Sequence, residues 1–292
     1  MRVATSADLT VVIPTLGRPI LRRALDALAA NTRTPVEVIL VDQGRSAEVQ
    51  AMASEFAARG LRVRWIPSSE RGRARGVNRG VEAATTRFVA VTDDDCLAHP
   101  TWIEALAARL AESPDDIVTG RVEAGDATVV STVTADVAIV QRQPSVRFDR
   151  LSGGNMALAR TTFERIGGLD EDPCVRTAED AEYAYRALRS GVAIRYAPEA
   201  AVTHLGWRDD SARTDQYADY ARSHGGFYGK YLRRGDAFIA ARAAVHWMRA
   251  IRRWAVGMLS GDRERARFAR AYVLGLPGGI RAGWRSAAPR RR

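Results

Sequence analysis

Cysteine and long apolar runs are scarce in this 292-residue chain, and acidic residues become scarce towards its C-terminus. The two cysteines, Cys96 and Cys174, are too few for a disulfide framework and lack the spacing of a metal site, which favours a reducing compartment. No segment reaches the roughly 20 apolar residues of a membrane-spanning helix. The Val-rich run near the N-terminus predicts a strand and not a signal peptide. The expected location is therefore the cytoplasm, with the protein either in solution or bound to a surface.

The scarcity of acidic residues gives the chain two parts of opposite charge. From Arg222 to Arg292 there are 17 Lys and Arg against three Asp and Glu, a net charge of +14, so residues 1–221 carry −4 of the total of +10. Such a basic segment can meet nucleic acid, anionic lipid or an acidic partner. No recognisable nucleic-acid-binding motif accompanies the charge, which makes nucleic acid an unlikely main partner.

The first two-thirds of the chain alternate short β-branched runs with longer Ala-, Leu- and Arg-rich segments, the pattern of βαβ units. The runs are apolar on all sides, as in a mostly parallel sheet covered on both faces. Strands are predicted at 9–14, 36–41, 62–66, 88–92, 117–124, 193–196 and 201–204. Helices are predicted at 22–30, 48–59, 74–84, 102–112, 161–166, 181–189, 215–223, 227–234, 237–259 and 263–274. We expect an α/β domain over residues 1–210 and a basic helical extension over 211–292.

One helix of the extension is amphipathic. Apolar residues follow a spacing of three to four, at Phe238, Ala241, Val245, Met248 and Ile251, with arginines beside or between them. Such a helix can lie on an anionic membrane with its apolar side down, or pack on the rest of the protein. The sequence leaves both interpretations open.

The strongest chemical signal is the triplet Asp93, Asp94 and Asp95, which directly follows the apolar run 88–92. Ligands of open α/β sheets bind at the carboxyl ends of the strands, where clustered carboxylates repel one another unless a cation compensates them. Hard oxygen ligands suit Mg²⁺ or Mn²⁺, ions that bridge carboxylates to phosphates. The triplet therefore indicates a metal-bound diphosphate, and a solvated acidic turn or helix cap is the structural alternative.

Later segments add a carboxylate pair, a glycine pair and a histidine. Glu179 and Asp180 precede a helical run, where capping alone explains them. The segment SGGNMALAR, residues 152–160, allows close approach of the backbone to a ligand. His204 ends an apolar run, a position from which an imidazole can join a carboxylate metal site, although most single histidines are structural.

These segments together resemble the family 2 glycosyltransferases of the GT-A fold over about residues 9–207. The resemblance rests on the order and spacing of VVIPTLGR, EVILVDQG, RGRARGVNRG, FVAVTDDDC, SGGNMALAR, IGGLDE, AEDAEYAYR and VTH. It implies a Rossmann-like, mostly parallel twisted sheet flanked by helices, followed here by the helical extension.

The resemblance also implies roles for single residues. Asp95 would bind the metal with His204 near it, and Asp180 would be the catalytic base. The positions matching nucleotide-sugar contacts are Pro14, Thr15, Arg18, Asp42, Arg71, Asn78, Asp93 and Asp94. The implied reaction uses a UDP-, GDP- or dTDP-sugar with Mg²⁺ or Mn²⁺ and inverts the anomeric carbon. The QxxRW signature of processive polymer synthases is absent, so transfer of one sugar is expected.

Two features of the sequence do not follow the family pattern. Gln43 stands where a second acid often follows Asp42, which leaves the base contact open. Residues 127–148 match nothing transferable, so the acceptor stays unknown; a lipid-linked compound and a small metabolite are both open. A peripheral position of the protein at the inner face of the membrane is open as well.

Three other functions fit the sequence less well. A dinucleotide-dependent oxidoreductase would need GxGxxG after the first strand, where the chain has PTLGRP. A sugar-phosphate nucleotidyltransferase would open with a Gly-rich basic loop. A non-catalytic scaffold on the same fold is disfavoured because Asp93, Asp95 and Asp180 are all present.

Overall fold

The computed structural model describes residues 8–125, 133–205 and 210–286. The chain forms two compact units, and each is described by itself. Among the described residues, the first comprises 8–125, 133–143, 150–169 and 186–205, and the second comprises 144–149, 170–185 and 210–286. Residues 144–149 and 170–185 thus join the basic C-terminal helices, where the sequence suggested a boundary at residue 210.

The first unit is built on a sheet that, within the described residues, has nine strands in the order β3-β2-β1-β4-β8-β6-β9-β5, with β7 beside β9. The strands are β1 (Leu9–Thr15), β2 (Glu37–Asp42), β3 (Val63–Pro67), β4 (Phe88–Thr92), β5 (Cys96–Ala98), β6 (Ile117–Ala124), β7 (Ile139–Gln141), β8 (Asn155–Ala159) and β9 (Ile194–His204). The helices of the chain are α1 (Leu21–Ala29), α2 (Ala47–Ala58), α3 (Arg73–Ala83), α4 (Trp102–Glu112), α5 (Arg160–Ile166), α6 (Glu179–Arg189), α7 (Asp210–Leu232), α8 (Ala237–Ser260) and α9 (Arg263–Arg285).

Two kinds of strand pairing meet in this sheet. Strands β1 to β4 run parallel. Strands β1, β2 and β4 are buried over their whole length, as their apolar composition predicts, whereas β3 at the end of the strand order is only partly buried. Strand β8 runs antiparallel to both β4 and β6. Because β8 is antiparallel, its first residue, Asn155, lies opposite Thr92, the last residue of β4. The predicted open α/β sheet is confirmed, with an antiparallel strand at its centre.

Close packing of α3 on β1 depends on a glycine. A Cβ added at Gly80 would lie 2.2 Å from Cγ1 of Val12, so any side chain there would push the helix off the strand. The start of α3, and the loop before it, are thereby held near the carboxyl end of β1.

Strand β9 is one continuous strand, and the prediction of two short strands around Pro198 was wrong. The pairing of β9 with β6 is irregular between Ala197 and Val202, which pair with Gly120 and Val122. Pro198 lies in the stretch that has no register partner, where its missing N–H costs no ladder hydrogen bond.

Helix α7 of the second unit is also continuous, although the sequence predicted a break before Phe227. The glycines at this point serve helix packing. A Cβ at Gly225 would lie 2.3 Å from the carbonyl oxygen of Leu276, and one at Gly279 would lie 2.0 Å from that of Arg222. The backbones of α7 and α9 therefore touch along a line of glycines, and α7 continues through them.

Helix α9 runs past the predicted end at residue 274 and contains Pro277. A proline cannot donate to the carbonyl four residues earlier, here that of Val273. The indole Nε1–H of Trp247 on α8 donates to that carbonyl at 3.1 Å. Packing between α8 and α9 thus satisfies the group that the proline leaves open.

Two further findings concern the predicted compartment. Both cysteines are free. Within residues 8–125, 133–205 and 210–286, no helix combines the length and the hydropathy that a membrane crossing needs.

Candidate functional site

The acid triplet lies at the carboxyl end of β4, where the sequence predicts it. Asp93 follows the strand and is partly exposed, whereas Asp94 and Asp95 are buried, with 2% and 5% of their surface accessible. Two buried carboxylates side by side are costly unless other groups neutralise them. The surroundings of each carboxylate therefore decide what this site can bind.

Asp94 is held by the loop that follows β1. The hydroxyl of Thr15 donates to its Oδ2 at 2.6 Å, and Arg18 forms a salt bridge with both of its oxygens. Burial raises the pKa of Asp94 and the charge of Asp95 adds to that rise, while the bonds from Arg18 and Thr15 oppose it. Three residues predicted to bind nucleotide are thus brought together as one cluster.

Asp95 presents its two oxygens to different partners. Its Oδ2 lies 3.1 Å from Nη2 of Arg18, and its Oδ1 lies 3.5 Å from Nε2 of His204. Antiparallel pairing of β5 with β9 places Cys96 opposite His204 and so delivers the imidazole to the triplet. The structure brings together the two residues that the sequence proposed as metal ligands.

The donor atoms around Asp95 fit a divalent cation. Carboxylate oxygen, imidazole nitrogen and the Cys96 sulfur lie within 4.8 Å of one another. Burial, with the charges of Asp93 and Asp95, raises the pKa of the Cys96 thiol well above its usual value, so the sulfur stays protonated and is a poor ligand. The remaining oxygen and nitrogen donors suit Mn²⁺ and also Mg²⁺ with additional water or phosphate ligands.

Asp93 is neutralised by a residue that sequence reasoning missed. Nε of Arg73, at the start of α3, lies 2.7 Å from Oδ1 of Asp93. Glycines make room for this pair: a Cβ at Gly153 would lie 2.8 Å from Nη1 of Arg73, and one at Gly154 would lie 2.8 Å from Oδ2 of Asp93. The glycine pair before β8 thus makes room for the side chains of Arg73 and Asp93, whereas the sequence suggested close approach to a ligand.

Asp42, predicted to contact the base or ribose, is fully buried at the end of β2. Its Oδ1 accepts the backbone N–H groups of Gly44 and Arg45, at 2.9 and 3.0 Å. Its Oδ2 accepts from the backbone N–H of Ser46 at 2.7 Å and from the indole of Trp65 at 3.1 Å. The carboxylate therefore shapes the loop between β2 and α2.

Gln43 has a role that explains its departure from the family pattern. Its Nε2 donates to the carbonyl oxygens of Glu70 and Gly72, at 2.9 and 2.8 Å. A carboxylate in its place has no N–H to donate. The amide fixes the loop that carries Arg71, which is exposed.

Asn78 and Pro14 take part in packing. Both side-chain atoms of Asn78 bond the backbone of Leu169, Oδ1 accepting at 2.8 Å and Nδ2 donating at 3.0 Å. A Cβ at Gly76 would lie 2.6 Å from Cβ of Pro14, so α3 approaches the end of β1 there. The structure places neither residue in the cluster around the triplet.

Asp180 belongs to the second unit and lies in the first turn of α6, which begins at Glu179, two residues before the predicted start of the helix. Its Oδ1 accepts from the N–H of Ala181 at 2.7 Å. Nearby along the chain, Asp170 and Asp172 bind the buried Nζ of Lys230 on α7, at 2.5 and 3.1 Å. Asp170 of the segment IGGLDE thus ties the chain before α6 to helix α7 within the second unit.

Residues 127–132, the first part of the stretch that sequence reasoning associated with the acceptor, lie outside the described residues. Of the remainder of that stretch, 139–141 forms strand β7 against β9.

Comparison with known proteins identifies the family. The family model of glycosyl transferase family 2 matches residues 10–164. The pre-mycofactocin glycosyltransferase of Mycobacterium tuberculosis is 27% identical over 207 residues, which cover 68% of this chain and 42% of that protein. The chain thus spans less than half the length of that relative.

Solved structures show the same fold. A mannosyltransferase from Pyrobaculum calidifontis, in complex with GDP-Man and Mn²⁺, aligns with a TM-score of 0.61 at 18% identity, covering 94% of this chain and 85% of that one. GalNAc-T7 with UDP, GalNAc and Mn²⁺ aligns with a TM-score of 0.58 at 16% identity, covering 78% and 51%. With the GT-A fold and the family match over more than half of its length, this chain contains a glycosyltransferase domain and belongs to glycosyl transferase family 2.

Proposed function

We propose that the chain transfers one sugar from a nucleoside-diphosphate sugar to an acceptor hydroxyl, with a divalent cation and with inversion at the anomeric carbon. The observation that carries the proposal is the pair formed by Oδ1 of Asp95 and Nε2 of His204, beside carboxylates that arginines neutralise. This arrangement lies at the carboxyl edge of the sheet, where α/β folds bind their ligands.

The charge of the cluster suits a metal-bound diphosphate. Among the described residues around the triplet, three carboxylates face two guanidinium groups, Arg18 and Arg73, which leaves one negative charge. A divalent cation would turn that charge to +1, opposite in sign to a diphosphate. When bound, the cation supplies electrostatic stabilisation of the leaving diphosphate.

The chain's own residues would hold and orient the donor. Asp95 and His204 would be the metal ligands, and the loop of Pro14, Thr15 and Arg18 would face the nucleotide. The remaining nucleotide-sugar contacts are proposed for Asp42, Arg71, Asn78, Asp93 and Asp94. For Asp42 and Asn78, whose side chains bond the protein itself, we propose an indirect contribution through the loops that they fix.

Asp180 is proposed as the general base that takes the proton from the acceptor hydroxyl. The support is its match to the family motif and its partly exposed place at the start of α6. A base of this kind contributes about 10² to 10⁴ to the rate.

The solved relatives support the donor class and the ion. One was crystallised with GDP-Man and the other with UDP, both with Mn²⁺. We propose Mn²⁺ or Mg²⁺ for this chain and a UDP-, GDP- or dTDP-sugar. We further propose a lipid-linked or small-metabolite acceptor and a cytoplasmic location at the inner face of the membrane, on the strength of the basic C-terminal charge.

The test is a screen of UDP-, GDP- and dTDP-sugars with Mn²⁺ or Mg²⁺, following release of the nucleoside diphosphate. Asp95→Ala and Asp180→Asn are expected to lose turnover, and Asp180→Asn is expected to keep nucleotide binding. Asp115→Asn, a change at an exposed carboxylate just before the amino end of β6, is the matched control and should stay active. Metal-dependent nucleotide binding without turnover of any donor, across a range of acceptors, would instead support the scaffold.

A further inference from the structure

Helix α8 exposes apolar side chains on the side that faces away from its packed neighbours. Its buried residues include Ala250 and Gly257. Because each residue of a helix turns by about 100°, the opposite side is reached at Met248, Ala255 and Leu259. These belong to an exposed set spaced by three and four residues, the apolar stripe: Met248, Ile251, Ala255, Met258 and Leu259.

The stripe is well exposed for residues of this type. Leu259 is 89% accessible, Met258 66% and Met248 57%. Single exposed apolar residues are ordinary on protein surfaces, but a stripe along nearly three turns marks a surface that another body covers.

Positive charge accompanies the stripe, and the 24 residues of α8 contain no Asp or Glu. Arg252 lies within the stripe by its spacing from Met248, Arg249 lies beside the stripe, and Arg253 follows Arg249 by one turn, farther from the stripe. Burial lowers the pKa of Arg249, and the charges of Arg253, Arg147 and Arg252 lower it further. Cations crowd one another here, and an anionic partner would relieve that repulsion.

We propose that the apolar stripe and its three arginines bind the surface of an anionic lipid bilayer. Met and Leu side chains would enter the boundary between headgroups and acyl chains, and the guanidinium groups would meet lipid phosphates. A second copy of the chain is a poorer partner, because it would bring the same arginines face to face. The inference deepens the membrane location proposed above by naming the surface that would bind lipid, and its test does not depend on sugar transfer.

Flotation with vesicles of phosphatidylcholine, with and without phosphatidylglycerol, tests the proposal. The wild-type chain is expected to float with the phosphatidylglycerol vesicles at low and physiological salt, and to bind more tightly at low salt. A Met258→Asp/Leu259→Asp variant should bind these vesicles roughly tenfold or more weakly, because it loses apolar insertion and gains repulsion.

The matched control is Val137→Asp/Phe148→Asp, which adds the same charge at two exposed apolar positions outside α8. It should bind vesicles like the wild type. Arg252→Gln/Arg253→Gln should lose the preference for phosphatidylglycerol. Circular dichroism and thermal unfolding confirm that each variant is folded.

Three results would overturn the proposal. The first is a wild-type chain that does not bind phosphatidylglycerol vesicles at low salt. The second is a Met258→Asp/Leu259→Asp variant that binds these vesicles as well as the control does. The third is a wild-type chain that binds no vesicles and forms a concentration-dependent dimer, which the Met258→Asp/Leu259→Asp variant does not form. Donor turnover measured in detergent-free buffer on the two α8 variants is expected to be unchanged. The lipid surface and the transferase activity can therefore fail separately.

Discussion

At the scale of single residues, Arg18 decides how the acid triplet behaves before a ligand arrives. Its guanidinium touches Asp94 and Oδ2 of Asp95, while Oδ1 of Asp95 faces His204. A buried carboxylate pair would otherwise be uncompensated, so the arginine stabilises the site. The positive charge of Arg18 would also repel a metal cation at Asp95.

Arg18→Gln is therefore expected to bind Mn²⁺ more tightly than the wild type when no nucleotide is present, by about tenfold. In the presence of Mn²⁺ it should bind the nucleoside diphosphate more weakly, because one positive charge is lost. Electron paramagnetic resonance of free Mn²⁺ and calorimetry measure the two affinities. Arg18→Lys keeps the charge and is the control; weaker Mn²⁺ binding by Arg18→Gln would show that the arginine orients Asp95 and does not compete with the ion.

The sequence predicts part of this site and misses part of it, for physical reasons. The triplet and His204 stand out because each directly follows an apolar strand. Arg73 does not, since RGRARG offers three arginines at alternate positions and only the start of α3 selects the one that meets Asp93. The contacts of Gln43 are equally hidden, because its partners are backbone carbonyls whose position depends on the fold.

At the scale of elements, Gly and Pro predict breaks in helices that the structure shows to be continuous, because packing compensates for these residues. Helix α9 shows this most clearly, since Trp247 replaces the N–H that Pro277 lacks. The bounds of strands β1, β2 and β4 are predicted to within a residue because burial along the whole strand leaves a continuous apolar run. A contact between distant residues leaves no such local pattern.

Trp247→Phe is expected to lower the free energy of unfolding by about 1 kcal/mol, because the carbonyl of Val273 loses its donor. Pro277→Ala supplies a backbone N–H to the same carbonyl, so it should stabilise the Trp247→Phe variant more than it stabilises the wild type. Chemical unfolding of the four proteins gives the coupling energy. Additive effects of the two substitutions would mean that the tryptophan and the proline act independently.

At the scale of the whole molecule, the charge is divided between an acidic first part and a basic C-terminal part, and the second unit also contains partly buried histidines. His246 on α8 accepts from or donates to the hydroxyl of Tyr228 at 2.8 Å and contacts the carbonyl of Arg147. Burial lowers the pKa of His246 to about 4, with the charges of Arg242 and Arg249 adding to the effect. The folded protein therefore holds this ring neutral at pH values where the unfolded chain protonates it.

This difference predicts how stability depends on pH. The unfolded chain binds a proton near the ordinary pKa of 6.5 and the folded chain only near 4, so the contribution of the neutral ring is complete above pH 6.5 and is lost as the pH falls towards 4. Between pH 7 and 5 the free energy of unfolding should fall by on the order of 1 kcal/mol. Urea unfolding of the wild type and of His246→Gln checks this, and a wild-type pH dependence equal to that of the variant would contradict it.

The reversed direction of β8 has a consequence for how this fold can change. Strand β8 begins at the same edge of the sheet where β4 ends and the acid triplet follows, with Asn155 opposite Thr92. Whatever connects β6 to β8 must therefore end beside Asp93, through Gly153 and Gly154. Insertions or deletions between β7 and β8 would remodel the surroundings of the acid triplet while the pairing of β4 with β8 keeps its register, so these surroundings can change at little cost to the sheet.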